Sequence, residues 1–509
     1  MKPFKVVLII SLLVGFNSLF GQLSLKQDQL FRNDSVFDQD DERAFQTKYK
    51  SLEPSENALL FIGQDSFKLE VNPALDLALG ALPNEEEWYN QYGVGLQLNI
   101  TFKRFSLGFT YLNYSTDLLP YQKEYIEQRK VYPSSGVVLG NSFASFNYLE
   151  SFLHYKSERF FDFEVGYGRN FIGDGYRSLL LSDFGQASPY AMLQASFWHI
   201  QYTTLFSMHR DIRGVESSAD LFRQKYTATH FLEWKIAPWI RVGVFESIVW
   251  AADDGQYHRG FDVNYLNPVI FYRPVEFSVG SSDNALLGAN LAIEPTSSQK
   301  FYFQLLFDEF LLDELRADLN QWRNPDQDIQ SGWWANKYGI QSGWTGLNDF
   351  GIKGLSHLVE FNLVRPYTYA HSNPTQAYSN YNQSLAHPLG ANFHEFVGRL
   401  TYSRKKVSFN VQYNNQLRGI SETGTNFGDD LELSNQDRDK EYENYVGQGL
   451  TSRVQVLDLS FSYLLKPEWD LSLSVGHFSR NEVRAGATLE DNMTYIRLRT
   501  NLFNRYFDF

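Results

Sequence analysis

The residues able to do chemistry in this chain sit in a few polar, glycine-rich stretches. One runs from Gly168 to Asp183 and carries Arg169, Asp174, Tyr176 and Arg177. Others hold Arg273, then Asp283 and Asn284, then Trp333, Trp334 and Lys337, then Arg365, Tyr367 and Tyr369, then His387 and His394. Flat rings beside a few convergent hydrogen-bonding groups suit a sugar, whose apolar faces stack on rings and whose hydroxyls need donors and acceptors. A packed polar interior wants a similar mixture, because buried arginines must be partnered by carboxylates such as Asp162, Glu164 or Glu360. These residues are therefore candidates either for polysaccharide binding or for an internal network.

Other chemistries find less support. The chain has no cysteine, so disulfides, thiolate metal sites, cysteine nucleophiles and a lipid-modified N-terminal cysteine are excluded. Its 10 histidines show no paired metal-ligand spacing, and no metal or other cofactor is expected. Gly173-Asp174-Gly175 is too short for a phosphate loop and suits a tight turn where backbone approaches backbone. A hydrolase would need a serine and a histidine brought together; Ser178, Ser182, His154 and His199 are present, but no G-x-S-x-G elbow is. The chain is expected not to be an enzyme.

The elements that must position these stretches are strands. From Tyr92 onward Val94, Leu96, Leu98, Ile100 and Phe102 alternate with small or polar residues. After Lys103-Arg104, a tight connection, Phe105, Leu107, Phe109 and Tyr111 continue the pattern. It recurs at Phe161–Tyr167, Val359–Leu363, Val407–Tyr413, Leu457–Tyr463 and Leu471–Val475. Alternate side chains of a strand point to opposite faces, so one face is apolar and aromatic and the other polar. By the same rule Trp333 and Trp334, if in a strand, face opposite ways. Arg241, Arg399, Arg497 and Arg499 alternate with apolar residues and are expected to point away from lipid. The last segment alternates from Tyr495 and ends Tyr506-Phe507-Asp508-Phe509, which reads as a closing strand with a terminal aromatic.

Composition fits a membrane barrel. The 509 residues include 42 Phe, 31 Tyr and 10 Trp, yet mean hydropathy is −0.36. A wall that is apolar on one face only gives that combination. No apolar run long enough for a helical span follows the N-terminal region. The net charge of −14 argues against nucleic acid as a partner. Lys2 and Lys5, the apolar run Val6–Phe16 and the Phe20-Gly21-Gln22 junction have the order of a secretory signal peptide, residues 1–21. Residues 22–91, acidic and poorly alternating, are expected to form a periplasmic extension or helical and loop plug. Residues 92–509 are expected to form a transmembrane antiparallel β-barrel. At about 9–11 residues per span plus connections, that length makes roughly 16–18 strands.

The stretches "NFIGDGYRSLLLSD", "NPVIFYRPVEF" and "RPYTYAH…LAHPLGANFHE" resemble the Wzi-like capsule-assembly proteins of the outer membrane. The likeness is greater to their Bacteroidetes branch, which includes the gliding-motility protein RemB, and it runs from about Phe143 to Phe509. It implies a plugged barrel in a Gram-negative, Bacteroidetes-like outer membrane, holding surface polysaccharide in capsule assembly or supporting gliding motility. Its partners would be outer-membrane lipid, surface polysaccharide, the barrel-assembly machinery during biogenesis, and gliding or secretion machinery. A diffusion porin for polar solutes is the first alternative, and an outer-membrane hydrolase the second.

Overall fold

A computed structural model describes residues 58–64, 66–83, 88–135, 145–214, 222–253, 258–267, 283–309, 311–324, 326, 329–500, 502 and 505–509. The expected signal peptide lies outside these residues. The strands are β1 (Leu60–Gln64), β2 (Phe67–Ala81), β3 (Trp88–Phe102), β4 (Phe105–Thr116), β5 (Ser145–Lys156), β6 (Phe161–Gly168) and β7 (Ser188–Phe197). Next come β8 (Ile200–Asp211), β9 (Arg223–Ala237), β10 (Ile240–Ala251), β11 (Asn284–Thr296), β12 (Gln299–Glu309), β13 (Lys337–Leu347) and β14 (Leu355–Val364). After two short strands, β15 (Ser379–Asn380) and β16 (Gln383–Ser384), the chain forms β17 (Phe393–Arg404), β18 (Val407–Ile420), β19 (Leu450–Lys466), β20 (Leu471–Arg484) and β21 (Ala487–Arg499). Two α-helices, α1 (Pro120–Arg129) and α2 (Leu312–Arg323), lie in connections.

Each wall strand pairs antiparallel with its neighbours, and β21 pairs back onto β2. Of the nineteen strands in this sheet, all but β1 make the ring, giving an eighteen-stranded closed barrel. Closure leaves no open edge in lipid, where unpaired backbone groups would go unsatisfied. The alternation seen in the sequence separates the faces. Phe161, Phe163, Val165, Phe301, Phe303 and Phe361 are exposed on the outside, while Glu164, Gln304 and Glu360 on the same strands are buried inside. The fold is that of an outer-membrane β-barrel.

Turns at one end are tight: Lys103-Arg104, Trp198-His199, Lys405-Lys406. At the other end most connections are long, including 169–187, 365–392 and 421–449. Short turns mark the periplasmic side of such barrels and long loops the outside.

Two expectations need correction. The boundary at residue 91/92 falls inside β3; β2 is wall, because Val71, Leu75, Leu77 and Leu79 alternate with Asn72, Asp76 and Ala78, and β1 pairs with its lower half. Residues 22–57 of the expected extension lie outside the described residues; among the described ones, the lumen is filled by later loops and by the chain's last residues. Nor does Phe509 end a wall strand. β21 stops at Arg499, opposite Asp76 midway along β2, and β1 continues the pairing below it. The chain then turns inward: Thr500 exchanges hydrogen bonds with Leu75, its amide donating 2.9 Å to the Leu75 carbonyl and its Oγ1 accepting from the Leu75 amide at 3.0 Å. Residues 505–509 lie in the lumen because Arg505 and Asp508 need partners that lipid cannot provide.

Candidate functional site

The lumen is crossed by the loops 169–187 and 365–392 and by the tail 505–509. Gly173 and Gly175 let the first loop press on the wall. Gly173 has φ +132°, and a Cβ there would lie 2.2 Å from Gln304 Nε2; one on Gly175 would lie 2.5 Å from Glu360 Oε2. Asp174 between them accepts from Asn290 Nδ2 at 2.6 Å and Lys300 Nζ at 3.0 Å, with Arg241 at 3.4 Å. The Tyr176 amide donates to Glu360 at 2.7 Å, as does the Tyr302 hydroxyl at 2.6 Å.

Arg177 ties the parts together. Fully buried, it reaches Glu395 of β17 at 2.7 Å and Asp508 of the tail at 2.5 Å. His387 Nε2 lies 2.8 Å from the other Glu395 oxygen. The Tyr506 hydroxyl donates to Asp183 at 2.6 Å, and Phe509 packs among the rings of Tyr125, Phe184 and Tyr121. Arg505 meets the Tyr132 hydroxyl at 2.7 Å and lies over the Tyr114 ring. Such density of partners is what buried charge requires.

The sequence candidates divide accordingly. Arg169 is held by Glu150 at 3.2 Å. Asp283 accepts from Arg259, Tyr265 and Gln376, and Asn284 donates to the Gln376 carbonyl. Lys337 donates to the Ala370 carbonyl at 3.0 Å, and Arg365 to the carbonyls of Asn336, Trp333 and Asn444. Tyr369 donates to the Leu179 carbonyl and Tyr367 to that of Asn426. All of these are structural contacts. Arg273 lies outside the described residues.

One assignment is overturned. His394 faces outward on β17, its ring stacked on exposed Phe361, because the alternation that buries Glu395 turns its neighbour to lipid. Trp333 and Trp334 lie in the connection before β13, so the strand rule does not apply. Ser178, weighed as a nucleophile, is buried and donates to the Ile172 carbonyl at 2.5 Å.

The tryptophans lie in the outer loops, their rings inclined to each other at 61°. Trp334 donates its amide to the Glu441 carbonyl at 2.9 Å, and Asn444 does the same to Gly332. The Trp334 ring lies under Arg438 at 4.2 Å and edge-on to Tyr367. Beside it Trp333 is half-buried, and Tyr445 is 60% exposed. Nearby loops are braced by Arg129 of α1, 2.5 Å from Asp430. Burial pushes the Asp430 carboxyl up, but this guanidinium outweighs it and holds the group below its ordinary value.

The inward arginines were legible, but their partners were not. Arg241 meets Asp174, Glu233 and Glu294, and Arg497 meets Asp76 at 2.6 Å. Sequence reading also missed Glu395 and Asp508. The alternation of β17 marked Glu395 as inward, but nothing local marked Asp508.

A cavity of about 250 Å3 remains in the periplasmic half, between the tail and β17–β21. Six serines line it, with Arg399, Arg497, Arg499 and Arg505.

No family model matches the chain, and no curated protein matches it in sequence. Among solved structures, it resembles Wzi of Escherichia coli, an outer-membrane protein involved in group 1 capsule assembly and described as a carbohydrate-binding β-barrel. The TM-score is 0.51 at 10% identity, over 85% of each chain. Pseudomonas aeruginosa OpdK with vanillate matches at TM-score 0.44 and 10% identity, covering 85% of this chain and 98% of that one. OprD of the same organism matches at 0.40 and 11%, covering 84% and 94%. The likeness to Wzi is one of fold.

Proposed function

We propose that this barrel serves the cell surface by holding polysaccharide on its outer loops, without catalysing a reaction. The observation that carries the reading is the plug: Arg177, Glu395, Asp508 and His387 lock two loops and the tail across the lumen. A wall of eighteen strands encloses room for an aqueous channel, and this chain fills that room with its own partnered polar groups. Trp333, Trp334 and the exposed Tyr445 on the outer loops then offer rings on which sugar faces can stack. A distant fold neighbour described as carbohydrate-binding is consistent with this. The same rings would serve capsule retention or, in a Bacteroidetes-like cell, the surface polysaccharide on which gliding depends.

The second reading, a diffusion porin for polar solutes, draws on the hydroxyl-lined cavity. Planar-bilayer recording separates the two. The purified barrel is expected to be nearly silent and to bind extracted surface polysaccharide, with Trp334→Ala weakening that binding several-fold while the barrel stays folded. Steady large conductance with no glycan binding would favour the porin.

A further inference from the structure

The cavity in the periplasmic half is unlike the rest of the lumen, where long side chains meet the plug. The register aligns its small residues in rows: Ser403 opposite Ser408, Ser408 opposite Ser462, and Ser462 opposite Ser474. Thr401, Asn410 and Ser460 make the next row. All lie within a few residues of the tight turns at Lys405-Lys406 and Pro467–Trp469, so the cavity sits at the periplasmic end. Short hydroxyl side chains leave a void against the plug and line it with groups that both donate and accept.

Charge is the second feature. Four arginines line the cavity against two aspartates, Asp458 and Asp508. Asp508 is also engaged by Arg177, a fifth guanidinium, which shares it with Glu395. Arg497 and Arg505 both reach Asp76. The lining itself thus holds four guanidiniums against two carboxylates, and the further carboxylates Asp76, Glu395 and Asp183 are not among the residues that face the space. Tyr176, Phe478 and Tyr495 add ring surface.

We propose that this cavity is a binding site for a monosaccharide-sized anion, a sugar carrying one carboxylate or phosphate group, entering from the periplasmic side. The arginines would take the charged group, since guanidinium matches carboxylate and phosphate geometry. The serine rows would take the ring hydroxyls, and the volume fits one sugar ring. The site lies across the plug from the outer loops, and it stands whether or not those loops hold polysaccharide.

The test is calorimetric titration of the full-length, detergent-solubilised barrel at low salt. The probes are D-glucuronate, glucose 1-phosphate and, as the neutral control, glucose. Saturable binding of either anion at least tenfold tighter than glucose is expected, and the stronger of the two identifies the charged group. Arg399→Gln should weaken it tenfold or more. Arg399 also lies over the Tyr176 ring at 5.1 Å, so a second variant keeps the charge intact. Ser403→Leu fills the cavity at a hydroxyl with no hydrogen-bond partner among the described residues, and it should abolish binding while heat-modifiable migration stays normal. No binding of either anion, glucose binding as tightly, or binding unchanged in folded Ser403→Leu would overturn the proposal.

Discussion

Two sectors of the barrel meet the same plug in different ways. Along β10–β14 the inward residues are long: Asn290, Gln304, Gln341 and Glu360 each bond the 169–187 loop directly. Along the lower rows of β17–β20 they are mostly serine, and a cavity stands where contact would be. Both sectors are polar, as a lumen must be, so polarity does not distinguish them. Side-chain length does. Long amides and acids convert a wide ring into a filled one, and short hydroxyls hold space open.

The largest expected effect breaks the filled sector. Arg177→Met leaves Glu395 and Asp508 without their guanidinium inside the lumen. Removing one partner of a buried ion pair costs about 3–5 kcal/mol. The variant should melt well below the parent in detergent, read by heat-modifiable migration. Arg499→Gln, in the open sector and partly exposed, should shift melting far less. Equal losses would mean that the two sectors do not differ in the way described.

Much of this architecture was legible in the sequence, and the missing parts share a cause. Period-two alternation is a local signal, so the strands, the lipid face and the inward arginines could be read from it. Gly173-Asp174-Gly175 could be read as a turn into the lumen because glycine tolerates close backbone approach. What could not be read is which segment a side chain meets across the barrel. Arg177 and Asp508 are separated by most of the chain, and no spacing rule links them. The tail was misread for a related reason: Tyr506 to Phe509 resemble a strand end, and only Arg505 and Asp508 hint at an interior place. No alternation surrounds Trp333 and Trp334, so whether they stand in a strand could not be read, and they lie in a connection. The candidate residues were polar and clustered as expected, but most proved to be the plug itself.

The tail gives the next largest effect. Deleting residues 505–509 removes Asp508 from Arg177 and the Phe509 ring from its cluster, while β21 still pairs with β2. The shortened barrel should remain membrane-integrated, melt at lower temperature, and conduct several-fold more in planar bilayers. Loss of membrane insertion would instead restore a wall role for these residues. A folded but silent barrel would mean that the two loops alone seal the lumen.

The smallest effect sharpens the comparison most, because it sets like against like. Gln304 and Ser462 are both inward, both hydrogen-bonded and both buried. Gln304 Oε1 accepts from the buried Leu179 amide at 3.0 Å, so Gln304→Ala strands a backbone N–H away from water. Such an orphaned donor costs about 1–3 kcal/mol. Ser462 Oγ meets Ser474 Oγ at 2.7 Å beside the cavity. In Ser462→Ala the Ser474 hydroxyl can rotate toward water in that space, so the loss should fall below about 0.5–1.5 kcal/mol, the usual net worth of a hydrogen bond. Thermal melting of the two variants, side by side in one detergent, measures the difference. A Ser462→Ala loss as large as that of Gln304→Ala would show that the serine rows are packed against the plug rather than facing open volume. The cavity, and the anion site assigned to it, would then lose their physical basis.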